Sequence, residues 1–199
     1  MAAKLRLVLL MAAVVMVSAA CSNPVAALDI GDAAPDWSGI IGTDDAEHAL
    51  SDYADVKLIV IVFTCNHCPV AKAYEDRLVA LQNDYRAKGV QVIAVNVNNL
   101  PADRLDKMKE RAEAKGFTFP YLYDPTQEMG RDYGATCTPH AFIVGKERKI
   151  AYTGAIDDSI KADKVQKPYI RDALDALLEG KDPPEPQTKQ FGCSIKWDK

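Results

Sequence analysis

The chain has 199 residues, with 28 acidic and 24 basic side chains, a formal net charge of −4 and five cysteines. That length suits one domain with one sizeable core. The acidic balance argues against a nucleic-acid partner, because phosphate binding needs clustered cations, and otherwise implies only a soluble domain.

Lys4 and Arg6 precede an apolar run over residues 7–17, which passes into small residues through Ala20. A short positive region, an apolar core and a small-residue end predict a secretory signal. The run is shorter than the roughly 20 apolar residues a membrane helix needs. Ser18-Ala19-Ala20-Cys21 resembles a bacterial lipobox, with Ser18 where Leu is usual, and would leave a lipidated Cys21 as the membrane anchor. Val25-Ala26-Ala27 offers an ordinary signal-peptidase site before Leu28. Both cleavage points stay open, after residue 20 or 27, and both predict an exported protein, periplasmic or lipid-anchored facing the periplasm. Loss of Lys4 and Arg6 leaves 22 basic against 28 acidic side chains, a net charge of −6. Four thiols remain, Cys65, Cys68, Cys137 and Cys193, and an even set in an oxidising compartment invites pairing.

Residues 28–56 are rich in Asp, Gly and Pro and predict loop with short strands. Residues 57–63 form a continuous β-branched run, the pattern of a strand buried on both faces. After Cys68 the period changes: Ala71, Tyr74, Leu78, Leu81 and Tyr85 predict an amphipathic helix ending near Gly89. A second buried strand follows over 90–97, then a charged surface helix over 101–115, stopped by Gly116. A short strand at 121–123 and a short helix at 126–133 lead to strands at 141–144 and 149–153, joined by a turn. A last helix carries Ile170, Leu174, Leu177 and Leu178 and closes at Gly180. Alternation at the start predicts a parallel βαβ unit with a right-handed crossover, to which the later hairpin adds antiparallel strands, giving an α/β fold with a mixed central sheet. The domain is expected over 28–181, followed over 182–199 by a Pro-rich extended arm and a Cys-containing tail.

Cys65-Asn66-His67-Cys68 falls where the first core strand gives way to its helix. Free backbone N–H groups and the macrodipole at a helix N-terminus stabilise an anion, so a thiolate there has a lowered pKa and attacks disulfides. Two cysteines separated by two residues can close a small ring, which lets the second release a partner from the first. Cys65 is therefore expected to be the exposed nucleophile and Cys68 the buried resolving thiol. His67 can favour the Cys65 thiolate by charge or hydrogen bonding. A bare CxxC also has the spacing of half a zinc site. His48, in a polar loop, is expected to be solvated, and the acid pairs Asp44-Asp45 and Asp157-Asp158 to face water.

The segment around Gly31-Asp32, the core strand running into Cys-Asn-His-Cys-Pro, and Thr138-Pro139-His140-Ala141-Phe142 together resemble the redoxin branch of the thioredoxin superfamily, over residues 29–180. That branch includes alkyl hydroperoxide reductase/thiol-specific antioxidant proteins, and the tail resembles a bacterial peroxiredoxin-like subgroup. The resemblance implies a thioredoxin-like three-layer fold and a cis Pro139 that brings the Thr138 backbone beside the CxxC to position an extended substrate segment. It implies a thiol–disulfide oxidoreductase acting without a cofactor on protein thiols or a redox partner.

Departures from the family pattern bear on the activity. Thr64 stands where thioredoxins usually have Trp, and Ile59 where many bury an Asp. Peroxiredoxins want Thr-x-x-Cys, but the third residue after Thr64 is His67, and Cys68 lies one further. Peroxide reduction is thus the alternative activity. A third reading is a copper-binding chaperone, for which Cys65, Cys68, Cys137 and His140 would supply ligands. Cys193 could pair with Cys137, tying the arm across the active face, act as a further resolving thiol, or stay unpaired.

Overall fold

The computed structural model describes residues 28–198; the expected signal segment and Cys21 lie outside the described residues. In chain order the elements are β1 (Ile40–Gly42), β2 (Glu47–His48), β3 (Leu58–Phe63), α1 (Pro69–Tyr85), β4 (Val90–Asn96), α2 (Leu105–Lys115), β5 (Tyr121–Tyr123), α3 (Glu128–Asp132), β6 (Cys137–Thr138), β7 (His140–Val144), β8 (Ile150–Gly154), α4 (Tyr169–Leu178) and β9 (Cys193–Ser194). Seven strands form one mixed sheet in the order β2-β1-β5-β4-β3-β7-β8, and β6 pairs with β9 in a separate two-stranded ladder. β3 runs parallel to β4, which runs parallel to β5, while β7 lies antiparallel to β3.

The continuous apolar run of β3 is explained by its place at the centre of the sheet. Leu58, Val60 and Val62 point to one face, where they meet Tyr74 and Leu78 of α1, Met108 of α2 and Leu174 of α4. Ile59, Ile61 and Phe63 point to the other face, against Trp37, Tyr133 and Ile195. Strand alternation thus supplies both cores from one run of six residues. Each such side chain contributes about 1.5–3 kcal/mol by burial. This is the thioredoxin-like layered fold, a mixed sheet covered on both faces.

Helix α1 begins where Cys68 serves as its N-cap and Pro69 occupies the first helical position, with its φ preset for the helix. The expected stripe is buried, and Gly89, at φ 87°, ends the segment through a left-handed turn. Glu75 of α1 is also buried and accepts both arms of the Arg111 fork at 2.8 and 2.5 Å, locking α1 to α2.

Several expectations are corrected. The helix expected from residue 101 begins at Leu105; residues Pro101–Asp103 instead form a 3₁₀ turn that points Asp103 into the protein. His48 is held between Tyr53, at 2.8 Å, and Asp44, at 3.1 Å. Asp157 is buried, accepting from Tyr74 at 2.9 Å and Arg77 at 2.5 Å. The Pro-rich arm is fastened to β8: Thr153 N–H donates to Pro186 O and Thr188 N–H to Thr153 O, each at 3.0 Å. Among the described residues, no helix is long and apolar enough to cross a membrane.

Candidate active site

The CxxC segment links the end of β3 to the start of α1, so both sulfurs lie at the positive end of a 17-residue helix. Ala71 N–H donates to Cys68 Sγ at 3.4 Å, satisfying one of the helix's free donors. The Thr138–Pro139 peptide is cis, and Thr138 touches both thiols. Its Oγ1 lies 3.1 Å from Cys65 Sγ, and its carbonyl accepts from Cys68 Sγ at 3.3 Å. The expected meeting of the Thr-Pro loop with the pair is present.

The expected exposure of Cys65 is not. Cys65 is only 2% exposed and Cys68 is fully buried. The tail packs over them: β9 pairs with β6 so that Cys193 stands opposite Thr138, and Cys193 and Val70 lie against the cluster of Cys65, Cys68 and Ala71. All four described cysteines are free thiols.

His67 is held by a residue that sequence reasoning missed. Its Nδ1 lies 2.5 Å from Asp103 Oδ2, and its Nε2 lies 4.0 Å from Cys65 Sγ. Asp103 is fully buried, and its Oδ1 accepts from Asn66 N–H at 2.7 Å, His67 N–H at 3.3 Å and Asn96 Nδ2 at 3.3 Å. Asn66 is fixed in turn, donating to Ala102 O at 2.9 Å and accepting from Tyr121 OH at 3.0 Å. The chain Cys65–His67–Asp103 is a thiol, an imidazole aimed at it and a carboxylate orienting the ring, the arrangement that activates a nucleophile. No spacing signal marks Asp103. The hint in the sequence is an acid two residues after Pro101, just ahead of a helix.

The two sulfurs titrate as a pair. Hydrogen bonding from the Cys65 thiol, with help from Cys193 and Ala71 N–H, holds Cys68 well below the ordinary thiol range. Donation to Cys68 and burial push Cys65 up, against the hydrogen bond from Thr138. One negative charge is thus favoured on the pair and a second is resisted. Burial also raises Cys137 and drives His140 down to about 4.

The four-residue copper or zinc set does not assemble. His140 Nε2 is 3.2 Å from Thr153 Oγ1, its Nδ1 accepts from Thr136 N–H at 3.4 Å, and its ring packs on Phe142. Among the described residues, the one group of three such side chains with ligand atoms within 4.8 Å is Cys65, His67 and Asp103. Both Asp103 oxygens are already engaged there, so the group reads as a hydrogen-bond chain rather than a cation cage. The Cys137–Cys193 pairing is not favoured either. Cys137 stands opposite Ser194 and Cys193 opposite Thr138, so the two thiols project to opposite sides of the ladder.

The chain is similar to known proteins over most of the described domain. A curated relative, the thiol-disulfide oxidoreductase ResA of Geobacillus thermodenitrificans (strain NG80-2), is 29% identical over 126 residues, 62% of this chain and 68% of its own. An uncharacterized conserved protein from Geobacillus kaustophilus is 42% identical, with a TM-score of 0.80 over 86% of this chain and 93% of its own. A hypothetical protein from Sinorhizobium meliloti 1021 is 31% identical, with a TM-score of 0.81 over 87% of this chain and 97% of its own. The AhpC/TSA family pattern matches residues 30–153, more than half of the sequence, and the chain belongs to the AhpC/TSA family.

Proposed function

We propose that the protein is an exported thiol–disulfide oxidoreductase that exchanges disulfides between Cys65–Cys68 and a partner protein. The observation that carries this reading is the joint placement of both sulfurs at the N-terminus of α1, touched by Thr138 and faced by a carboxylate-held imidazole. Family membership and the name of the curated relative support it. Export rests on the leader pattern of residues 1–27.

In the reducing direction, the pair reacts in the form that has Cys68 protonated: the Cys65 proton passes to His67 Nε2 while Asp103 steadies the ring, so that the one charge the pair favours sits on Cys65. The Cys65 thiolate attacks one sulfur of the partner disulfide, forming a mixed disulfide and expelling the other sulfur as a thiolate. Cys68 gives its proton to the expelled partner thiolate and attacks Cys65 Sγ; the Cys65–Cys68 bond forms, and the second partner sulfur leaves as a thiolate that takes the proton held by His67, so the partner departs with both sulfurs reduced. The oxidising direction is the reverse.

Cys68→Ser is expected to accumulate covalent complexes with partner proteins and Cys65→Ser to accumulate none. Equal trapping by both would defeat the assigned roles. The reduction potential of the Cys65–Cys68 disulfide decides the direction: about −120 mV marks an oxidant and about −270 mV a reductant. Family membership makes a peroxide the second candidate substrate. A rate of oxidation by peroxide no faster than that of free cysteine would remove it.

A further inference from the structure

The tail occupies the surface at which a substrate strand would dock. β9 lies antiparallel to β6 with Cys193 opposite Thr138, the residue that touches both site sulfurs. The approach is close enough to demand glycine next door: a Cβ on Gly192 would fall 2.1 Å from Thr138 O and 2.6 Å from its carbonyl carbon. Anchors hold the strand on both sides of Cys193. Phe191 packs on Tyr74, with ring centroids 6.2 Å apart. Beyond the cysteine, Ile195 is buried, Lys196 N–H donates to Asn98 Oδ1 at 2.8 Å, and the Trp197 ring lies under the Arg131 guanidinium at 4.7 Å.

Between these anchors Cys193 is brought to the start of α1. It packs, together with Val70, against the cluster that Cys65, Cys68 and Ala71 form there. Three thiols therefore adjoin, and Cys193 is the one that solvent reaches, since Cys65 and Cys68 are sealed.

We propose that Cys193 is a third exchange thiol of this site, presented to Cys68 by the docked tail, and that a Cys68–Cys193 disulfide connects the buried pair with thiols in solution. This rests on the exchange function proposed for Cys65 and Cys68. With those two joined, Cys193 gives its proton to water and its thiolate attacks Cys68 Sγ. The Cys68–Cys193 bond forms, the Cys65–Cys68 bond breaks, and Cys65 leaves as a thiolate that takes up a proton. One disulfide replaces another, so no outside oxidant or reductant enters this step. An external thiolate next attacks Cys193 Sγ, expelling Cys68 and forming a mixed disulfide. A second external thiolate takes the outer sulfur, leaving Cys193 reduced and the two external thiols joined.

The test uses the full chain carrying Cys65→Ser, treated with oxidised glutathione, quenched in acid, alkylated and mapped by non-reducing peptide mass spectrometry. The expected product is a peptide pair linked through Cys68 and Cys193. Glutathione left on Cys68, with Cys193 alkylated as a free thiol, would overturn the proposal. Gly192→Val, added to the same chain to push the strand off Thr138, is expected to abolish the linked pair. Its persistence would show that docking is not what presents Cys193. In the chain with all native cysteines, Cys193→Ser is expected to slow reduction of the Cys65–Cys68 disulfide by glutathione at least about tenfold, the loss that follows removal of a tethered thiol. An unchanged rate would overturn the relay while leaving exchange at the pair intact. Failure of the native chain to form a Cys65–Cys68 disulfide at all would instead overturn the exchange function itself.

Discussion

Replacing Asp103 by Asn alters one charge and the sense of one hydrogen bond. When the imidazole is neutral, Asp103 Oδ2, 2.5 Å from His67 Nδ1, accepts the ring proton there, which leaves Nε2 bare and facing Cys65 at 4.0 Å. An Asn can keep its carbonyl oxygen on the other side, where Asn66 N–H, His67 N–H and Asn96 Nδ2 donate. Its amide nitrogen then faces Nδ1, which must accept, so the ring proton moves to Nε2. A protonated Nε2 cannot take the Cys65 proton. General-base help is worth about 10²–10⁴-fold, and a contact as long as 4.0 Å places this case at the lower end, about 10²-fold or ~2.7 kcal/mol of barrier. The assay is the rapid-mixing rate of the reduced protein with oxidised glutathione across pH, beside a urea denaturation of each variant. Asp103→Asn should lose rate and keep most of its stability. Asp103→Ala should also lose ~3 kcal/mol of stability, because it strands buried donors. An Asp103→Asn protein that exchanges at the native rate over the whole pH range would refute the role assigned to the carboxylate.

Three further outcomes follow from the packing. His140 is buried neutral, with its pKa pushed down to about 4, whereas the unfolded imidazole titrates near 6.5. The unfolded chain therefore binds the extra proton between those values, and stability falls as pH drops through that window. His140→Gln should lose about 2 kcal/mol less than the parent between neutral pH and pH ~4.5 in urea titrations, and an equal loss would show that another group sets the acid limit. Leu174→Ala empties a fully buried place between α4 and the sheet and should cost about 2–5 kcal/mol in the same measurement, with a smaller cost meaning that the site collapses. Gly154 has φ 142°, and a Cβ there would meet Thr188 O at 2.3 Å; Gly154→Ala should displace the arm from β8 and make residues 183–190 the first site of limited proteolysis. An unchanged cleavage pattern would mean that the arm is held elsewhere.

The burial of the pair changes how access must be understood. A CxxC at the tip of a helix is expected to meet its partner directly. Here the Thr138 edge is already paired by the chain's own tail. A partner strand that docks at Thr138 has to displace β9, and the contacts of Phe191, Ile195 and Trp197 set the cost of doing so. On the function proposed for Cys65 and Cys68, exchange and tail docking are linked, and a variant that loosens the tail should raise the exposure of Cys65 and change its rate of reaction with an alkylating reagent.

What was legible in the sequence was whatever depends on local periodicity and local backbone chemistry. Six consecutive apolar residues marked β3 as central, a three- and four-residue stripe marked α1, and the change of period between them placed Cys65 and Cys68 at a helix start. The alternating order of elements implied the mixed sheet, because short connections and right-handed crossovers leave few other ways to pair such strands. Four things were decided by the tertiary structure alone: the inward turn of Asp103, 36 residues from His67; the commitment of His140 to Thr153 and Thr136; the docking of the tail at Thr138; and the sealing of Cys65. The reason is the same in each case. A periodic pattern records which face of an element is apolar, whereas the partner of a polar side chain is fixed only when distant segments meet, and nothing beside Asp103, His140 or Cys193 in the chain records what each will touch.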